Sequence, residues 1–221
     1  FHPTSTTDSG GFTNIFFGTS TSNNFGVAVG GKREEANGNP SFQIRLLNDS
    51  VTGTEVFNIS TAGAVTMPLQ PAFHAVNNAN QNNIPTSTNT SIIFQAERFD
   101  GNADFTVSTG DGQGGDSSNV KGIFTAPVTG KYQFSFKTRL VNVDTAASYY
   151  QVLLVTSNIT VEIAILDPNY SADLDYFFIT ASMLMDMDTN DTAHITINQV
   201  GGTAQTDIQN ATAIFTGYLV A

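Results

Sequence analysis

Apolar and polar positions alternate with a period of two through most of the second half of the chain. Tyr132, Phe134 and Phe136 are separated by Gln133, Ser135 and Lys137, the pattern of a strand with one buried face. The same alternation sets Ile159, Val161, Ile163 and Ile165 against Thr160, Glu162 and Ala164, and Ile195 and Ile197 against His194, Thr196 and Asn198. Two segments, Tyr149 to Val155 and Ile214 to Val220, are apolar on both parities and predict strands covered on both sides. Turn signals separate the runs: Asp100-Gly101-Asn102, the stretch from Gly110 to Asn119, Thr129-Gly130, Asp167-Pro168-Asn169, Asp188 to Asp191, and Gly201-Gly202. No sustained helical period appears, so the pattern predicts an all-β sandwich or barrel.

The front third differs. Residues 12–29 mix Gly, Ser, Thr and Asn around Ile15-Phe16-Phe17 and Phe25/Val27/Val29, and two further strand candidates follow at Phe42/Ile44/Leu46 and Glu55 to Ile59. Met67-Pro68-Leu69-Gln70-Pro71 then places two prolines close together, which stiffens the backbone and removes amide donors. The expected organisation is a β-rich segment over 1–67, a proline-containing linker over 68–71 and a larger β domain over 72–221. The front segment is too small and too lightly apolar to bury a core alone, and is expected to gain stability from neighbouring chains.

Composition narrows the function classes. The 221 residues contain no cysteine, which removes disulfides, thiol nucleophiles and cysteine-based zinc sites. Eight Lys+Arg against 19 Asp+Glu give a formal charge of -11, the wrong sign for nucleic-acid binding. No apolar run approaches the roughly 20 residues of a membrane-spanning helix, so membrane insertion is not expected. No Lys or Arg follows Arg139, so residues 140–221 cannot form an ion pair among themselves. Low charge with abundant Ser, Thr and Asn leaves a surface polar through hydroxyls and amides.

From Pro71 onward the residues resemble the complement C1q globular-head family, relatives of tumour necrosis factor. Pro71-Ala72-Phe73-His74-Ala75 is similar to that family's first strand, and Phe215-Thr216-Gly217-Tyr218-Leu219 to its last. The most specific match runs from Gly122 to Phe136 and follows the pattern Phe-x-Ala-Pro-x-x-Gly-x-Tyr-x-Phe, carried by Phe124, Ala126, Pro127, Gly130, Tyr132 and Phe134. Physically, Pro127 holds Ala126 extended, and Gly130 is expected to turn the chain with φ > 0 into the next strand. The resemblance implies a jelly-roll sandwich of about ten strands that associates as a homotrimer. On that reading one face of Tyr149 to Val155 and of Ile214 to Val220 packs the monomer core and the other approaches the three-fold axis. The residues so assigned to trimer core or interface are Tyr132, Phe134, Tyr150, Val152, Leu154, Phe215 and Tyr218. The alternative is that both faces are covered within one chain. The front segment from Ser41 to Thr66 is similar to a strand–turn–strand pattern common in bacteriophage fibre and spike proteins.

Catalytic constellations are not evident. His2, His74 and His194 are scattered, with His194 on the polar parity of its strand, and surface or interface positions are expected for them; no nucleophile elbow, zincin motif or phosphate loop appears. Two acidic loops offer the oxygen ligands calcium prefers: Asp111 with Asp116, and Asp186, Asp188 and Asp191. The function expected is non-enzymatic: a trimeric phage fibre or spike head that binds a host-surface receptor, a carbohydrate being one candidate, with residues 1–67 joining it to other virion proteins. The alternatives are a capsid decoration protein that stabilises the shell and a bacterial cell-surface adhesion module.

Overall fold

The computed structural model describes residues 11–35, 38–110 and 121–221. These form an all-β chain in two compact units, Phe1–Leu69 and Gln70–Ala221.

The first unit is a single antiparallel meander of β1 (Phe12–Gly18), β2 (Phe25–Arg33), β3 (Pro40–Asn48), β4 (Thr54–Ile59) and β5 (Val65–Thr66), in that spatial order. A bulge between Ile44 and Arg45 sets Val56 out of the β3–β4 register.

The second unit is a two-sheet sandwich. Its strands are β6 (Ala72–Val76), β7 (Thr90–Ser91), β8 (Ala96–Asp100), β9 (Phe105–Thr106), β10 (Ile123–Thr125), β11 (Gly130–Val143), β12 (Ala147–Thr156), β13 (Thr160–Leu166), β14 (Leu174–Met187), β15 (Thr192–Gly201), β16 (Asp207–Ile208) and β17 (Ile214–Leu219). One sheet runs β14-β11-β17-β6-β8, with β16 on β11; the other runs β13-β12-β15-β10-β9, with β7 on β15. Sequence neighbours separate and distant strands pair, as jelly-roll connections require.

The space between the sheets is filled largely by aromatic rings. Phe73 of β6 stacks on Phe105 at 4.8 Å and Phe124 at 5.0 Å between ring centroids, and meets Phe215 edge-on at 5.1 Å. Tyr132 and Phe134 extend the cluster along β11, and the Tyr132 hydroxyl donates to the Val128 carbonyl at 2.7 Å, which ties the preceding turn to the core. Gly217 lies beneath this cluster: a Cβ there would meet the rings of Phe73 at 2.6 Å and Phe134 at 2.7 Å. Gly217→Ala is therefore expected to destabilise the head by about 2 kcal/mol through overpacking, read as a lower denaturation midpoint with unchanged slope.

Three sequence expectations change on contact with the backbone. Gly130 does not adopt positive φ; it is required because a side chain would collide with the Ala221 carbonyl and Leu219, both at 2.6 Å. In β13 a register shift opposite Val152/Leu153 leaves Ile163 as an extra residue, so parity flips: Leu166 is buried, whereas Ile165 is exposed with the flanking Ile159. His194 is buried, although its parity points away from the sandwich core. It sits across the ladder from Val155, with Lys121 Nζ 3.4 Å from its Nε2.

Candidate interaction face

The sheet β14-β11-β17-β6-β8 turns a second face outward, and there the largest exposed side chains of the second unit collect. Its registers build the face in rows. Leu184 lies beside Gln133 and Tyr218; Ser182 beside Ser135, Thr216 and His74; Thr180 beside Lys137 and Ile214; Phe178 beside Arg139; and Tyr176 beside Val141. Tyr176, Phe178, Leu184 and Tyr218 are each at least half exposed, and Phe99 on β8 continues the apolar surface next to His74. An isolated strand-period alternation normally sends polar residues outward, so four large apolar side chains on one outward face require an explanation.

Lys137 and Arg139, the last two bases of the chain, also lie on this face. The Lys137 ammonium stands 5.1 Å from the ring centre of Phe178, and the Arg139 guanidinium 5.1 Å from Tyr176 and 5.8 Å from Phe178. Arg139 also donates to the Gln209 side-chain carbonyl. These cations stand over aromatic rings and extend the apolar surface with their aliphatic stems. Between the aromatic ends lies a hollow of about 450 Å³ floored by Ser135, Ser182, Ala181 and Thr180 with Lys137 and Ile214 at its side. Small residues in the middle with rings at both ends give a surface into which projecting side chains fit.

The sequence expectations about site residues are corrected here. Tyr132, Phe134, Tyr150, Val152, Leu154 and Phe215 are each at most 2% exposed within a single chain, so they form the sandwich core and leave no surface for a neighbouring copy. Of the seven, Tyr218 alone is outward. The two doubly apolar segments also belong to opposite sheets: Tyr149 to Val155 is in β12 and Ile214 to Val220 is centred on β17. Their second faces point to opposite sides of the sandwich and cannot approach one axis together. The strand that does share the β17 face is β14, whose apolar residues on both parities, Tyr176/Phe178 and Phe177/Ile179, carry the signal used for the other two.

The calcium expectation for the second acidic loop is likewise corrected. Asp186 belongs to β14 and pairs with Lys131 across the ladder at 3.4 Å. Asp191 accepts from the Asp188 amide and Ser157 hydroxyl, each at 2.8 Å, and from the Asn158 side-chain amide, and these donors hold its carboxyl below the usual range. Asp188 accepts from the Thr129 hydroxyl. Among the described residues no three acidic or histidine side chains are arranged to hold a metal ion. Asp111 and Asp116 lie outside the described residues.

A two-sheet aromatic sandwich with one sheet turned outward as an apolar, cation-capped surface defines a β-sandwich of the jelly-roll class. The C1q domain model matches residues 72–220, about two thirds of the chain. The chain belongs to the C1q domain family. Among solved structures it is similar to the globular domain of the zebrafish complement 1qA protein, at 17% identity and a TM-score of 0.48, covering 69% of this chain and 98% of that one. It is also similar to murine APRIL at 12% identity and a TM-score of 0.45, covering 68% and 99% respectively. No curated protein sequence matches the chain. Domains of the C1q type are generally non-enzymatic modules that form trimers.

Proposed function

We propose that three copies of this chain associate through the outward face of the β14-β11-β17-β6-β8 sheet, and that the trimer is a virion appendage whose loops bind a host surface. The observation that carries the trimer is the continuous exposed set Tyr176, Phe178, Leu184 and Tyr218, with Lys137 and Arg139 stacked onto it. Burying such a face removes several aromatic side chains from water, and aromatic residues and Arg dominate the energetics of protein interfaces. Stacked on rings, the two cations enter that interface partly desolvated already. The virion setting is supported by the front segment, whose strand–turn–strand pattern is similar to phage fibres and whose five strands form an open meander. Host attachment is supported by a head surface rich in Asn, Thr and carboxylates, which suits hydrogen bonding to carbohydrate.

Light scattering on the full chain is expected to give three times the 23.5 kDa chain mass. Phe178→Asp, which inserts a carboxylate among the exposed rings of the contact, is expected to weaken assembly by at least about 100-fold. Tyr170→Asp, at an exposed loop position, is expected to leave the mass unchanged. A wild-type chain running at one chain mass would remove the trimer reading. Antibody labelling of purified particles tests the setting: label at tail tips supports attachment, while label spread over the shell favours capsid decoration.

A further inference from the structure

The front meander has two faces of opposite character. On one, long polar side chains close over the sheet: Ser41 donates to Glu34 at 2.6 Å, Lys32 pairs with Glu34 at 2.8 Å, Arg45 donates to Gln43 at 3.0 Å, and the Arg45 guanidinium stands 5.1 Å from the Phe12 ring. The other is bare. The registers assemble three apolar rows there: Phe17 with Val27 and Leu46; Ile15 with Val29, Ile44 and Phe57; and Phe42 with Ile59 and Val65 beside Gly31. No charged side chain lies in these rows. Ile15 is 60% exposed, and Phe17, Leu46 and Val65 are each about half exposed.

A sheet one layer thick has no second layer to bury its apolar face, and among the described residues the only hydrophobic side chain buried in this unit is Ala28. The ordering of some sixty residues is then unopposed by any core of its own. Something must cover the bare face.

We infer that this face packs against the same face of the other copies in the assembly, so that three front sheets enclose one shared apolar core; the inference rests on the trimeric reading above. Three features favour a self-contact. The three rows are free of charge, with Arg33 the charged residue of this parity at the rim beyond Gly31, so identical rows meet without repulsion or a buried ion, whereas the opposite face carries Lys32, Glu34 and Arg45. Five strands about 4.8 Å apart and three rows of side chains give a face on the order of 400 Å². Enclosing this face in a three-way contact removes about 400 Å² per chain, roughly 1,200 Å² in all, from water, each seam being small enough to need copies already held together. Finally, a trimeric head holds its three front sheets at an effective concentration in the millimolar range.

The absence of cysteine permits a direct test on the full chain. Ile15→Cys and Asn14→Cys place a thiol on adjacent residues of β1, on the bare and polar faces respectively, and both positions are exposed in a lone chain. In the assembled protein, a water-soluble maleimide is expected to label Ile15→Cys at least about tenfold more slowly than Asn14→Cys. Light scattering is run on the same samples. A trimeric mass with slow Ile15→Cys labelling supports the shared core. A trimeric mass with equal labelling overturns it and leaves the head trimer standing; the face would then be open for a different virion protein. A single-chain mass overturns both.

Discussion

Phe73→Ala is expected to remove about 3–5 kcal/mol of stability from the head, measured by chemical denaturation at neutral pH. Phe73 is fully buried and lies within ring-contact distance of Phe105, Phe124, Phe134 and Phe215, which come from four different strands of the two sheets. Truncating it deletes the shared neighbour of four rings, and a cavity between two hydrogen-bonded sheets cannot close by moving one side chain. Phe73→Leu retains much of the volume and should lose clearly less. Equal losses for the two substitutions would mean that ring geometry rather than volume holds the sheets together.

The second large effect is a loss of stability in mild acid. Burial, followed by the nearby Lys121 charge, lowers the His194 pKa from 6.5 to about 4. Above pH 6.5 the imidazole is neutral folded or unfolded and adds no pH dependence. Between pH 6.5 and about 4 the unfolded chain takes up a proton that the folded chain refuses, so stability falls as pH falls, by roughly 3 kcal/mol across the window. Lys121, donating to the neutral ring at 3.4 Å, is the contact that protonation would break. Glu97 and Asp104 oppose this trend, because burial raises their carboxyl pKa values and acid relieves them. His194→Gln isolates the histidine: the difference in melting temperature between the two proteins at pH 7 should shrink or reverse at pH 4.5. A difference independent of pH would show that the imidazole is reached by solvent when folded.

The jelly-roll head was readable because its strongest signals are local. Ala126-Pro127 and the Tyr132/Phe134 alternation sit in one stretch, and both ends of the domain carry matching strands. Side-chain destinations were harder to read. Two-sided apolarity in β12 and β17 reports burial but not what does the burying, and the strands lie in opposite sheets. Only pairing shows that β14, not β12, shares the outward face of β17, with β11 between them. His194 was misread for a related reason: parity says which way a residue points, and neighbouring segments decide whether water is there. In β13 one inserted residue, Ile163, was enough to exchange the faces of everything after it. The bare face of the front meander was visible only as scattered phenylalanine and valine until three registers aligned them.

The acidic side chains after Arg139 are handled largely without bases. The buried Asp144 carboxylate receives the Ala146 amide, the Thr203 amide and the Thr203 hydroxyl. Asp173 receives the Thr145 amide and hydroxyl and the Gln205 side chain, which hold its carboxyl below the usual range. Asp207 receives the Asn83 amide and Asn142. Hydrogen bonds from fixed dipoles act over one contact and have no long-range field for mobile ions to screen. The contribution of these loops to stability is therefore expected to change little with ionic strength, which denaturation midpoints of the full chain at low and high salt would check.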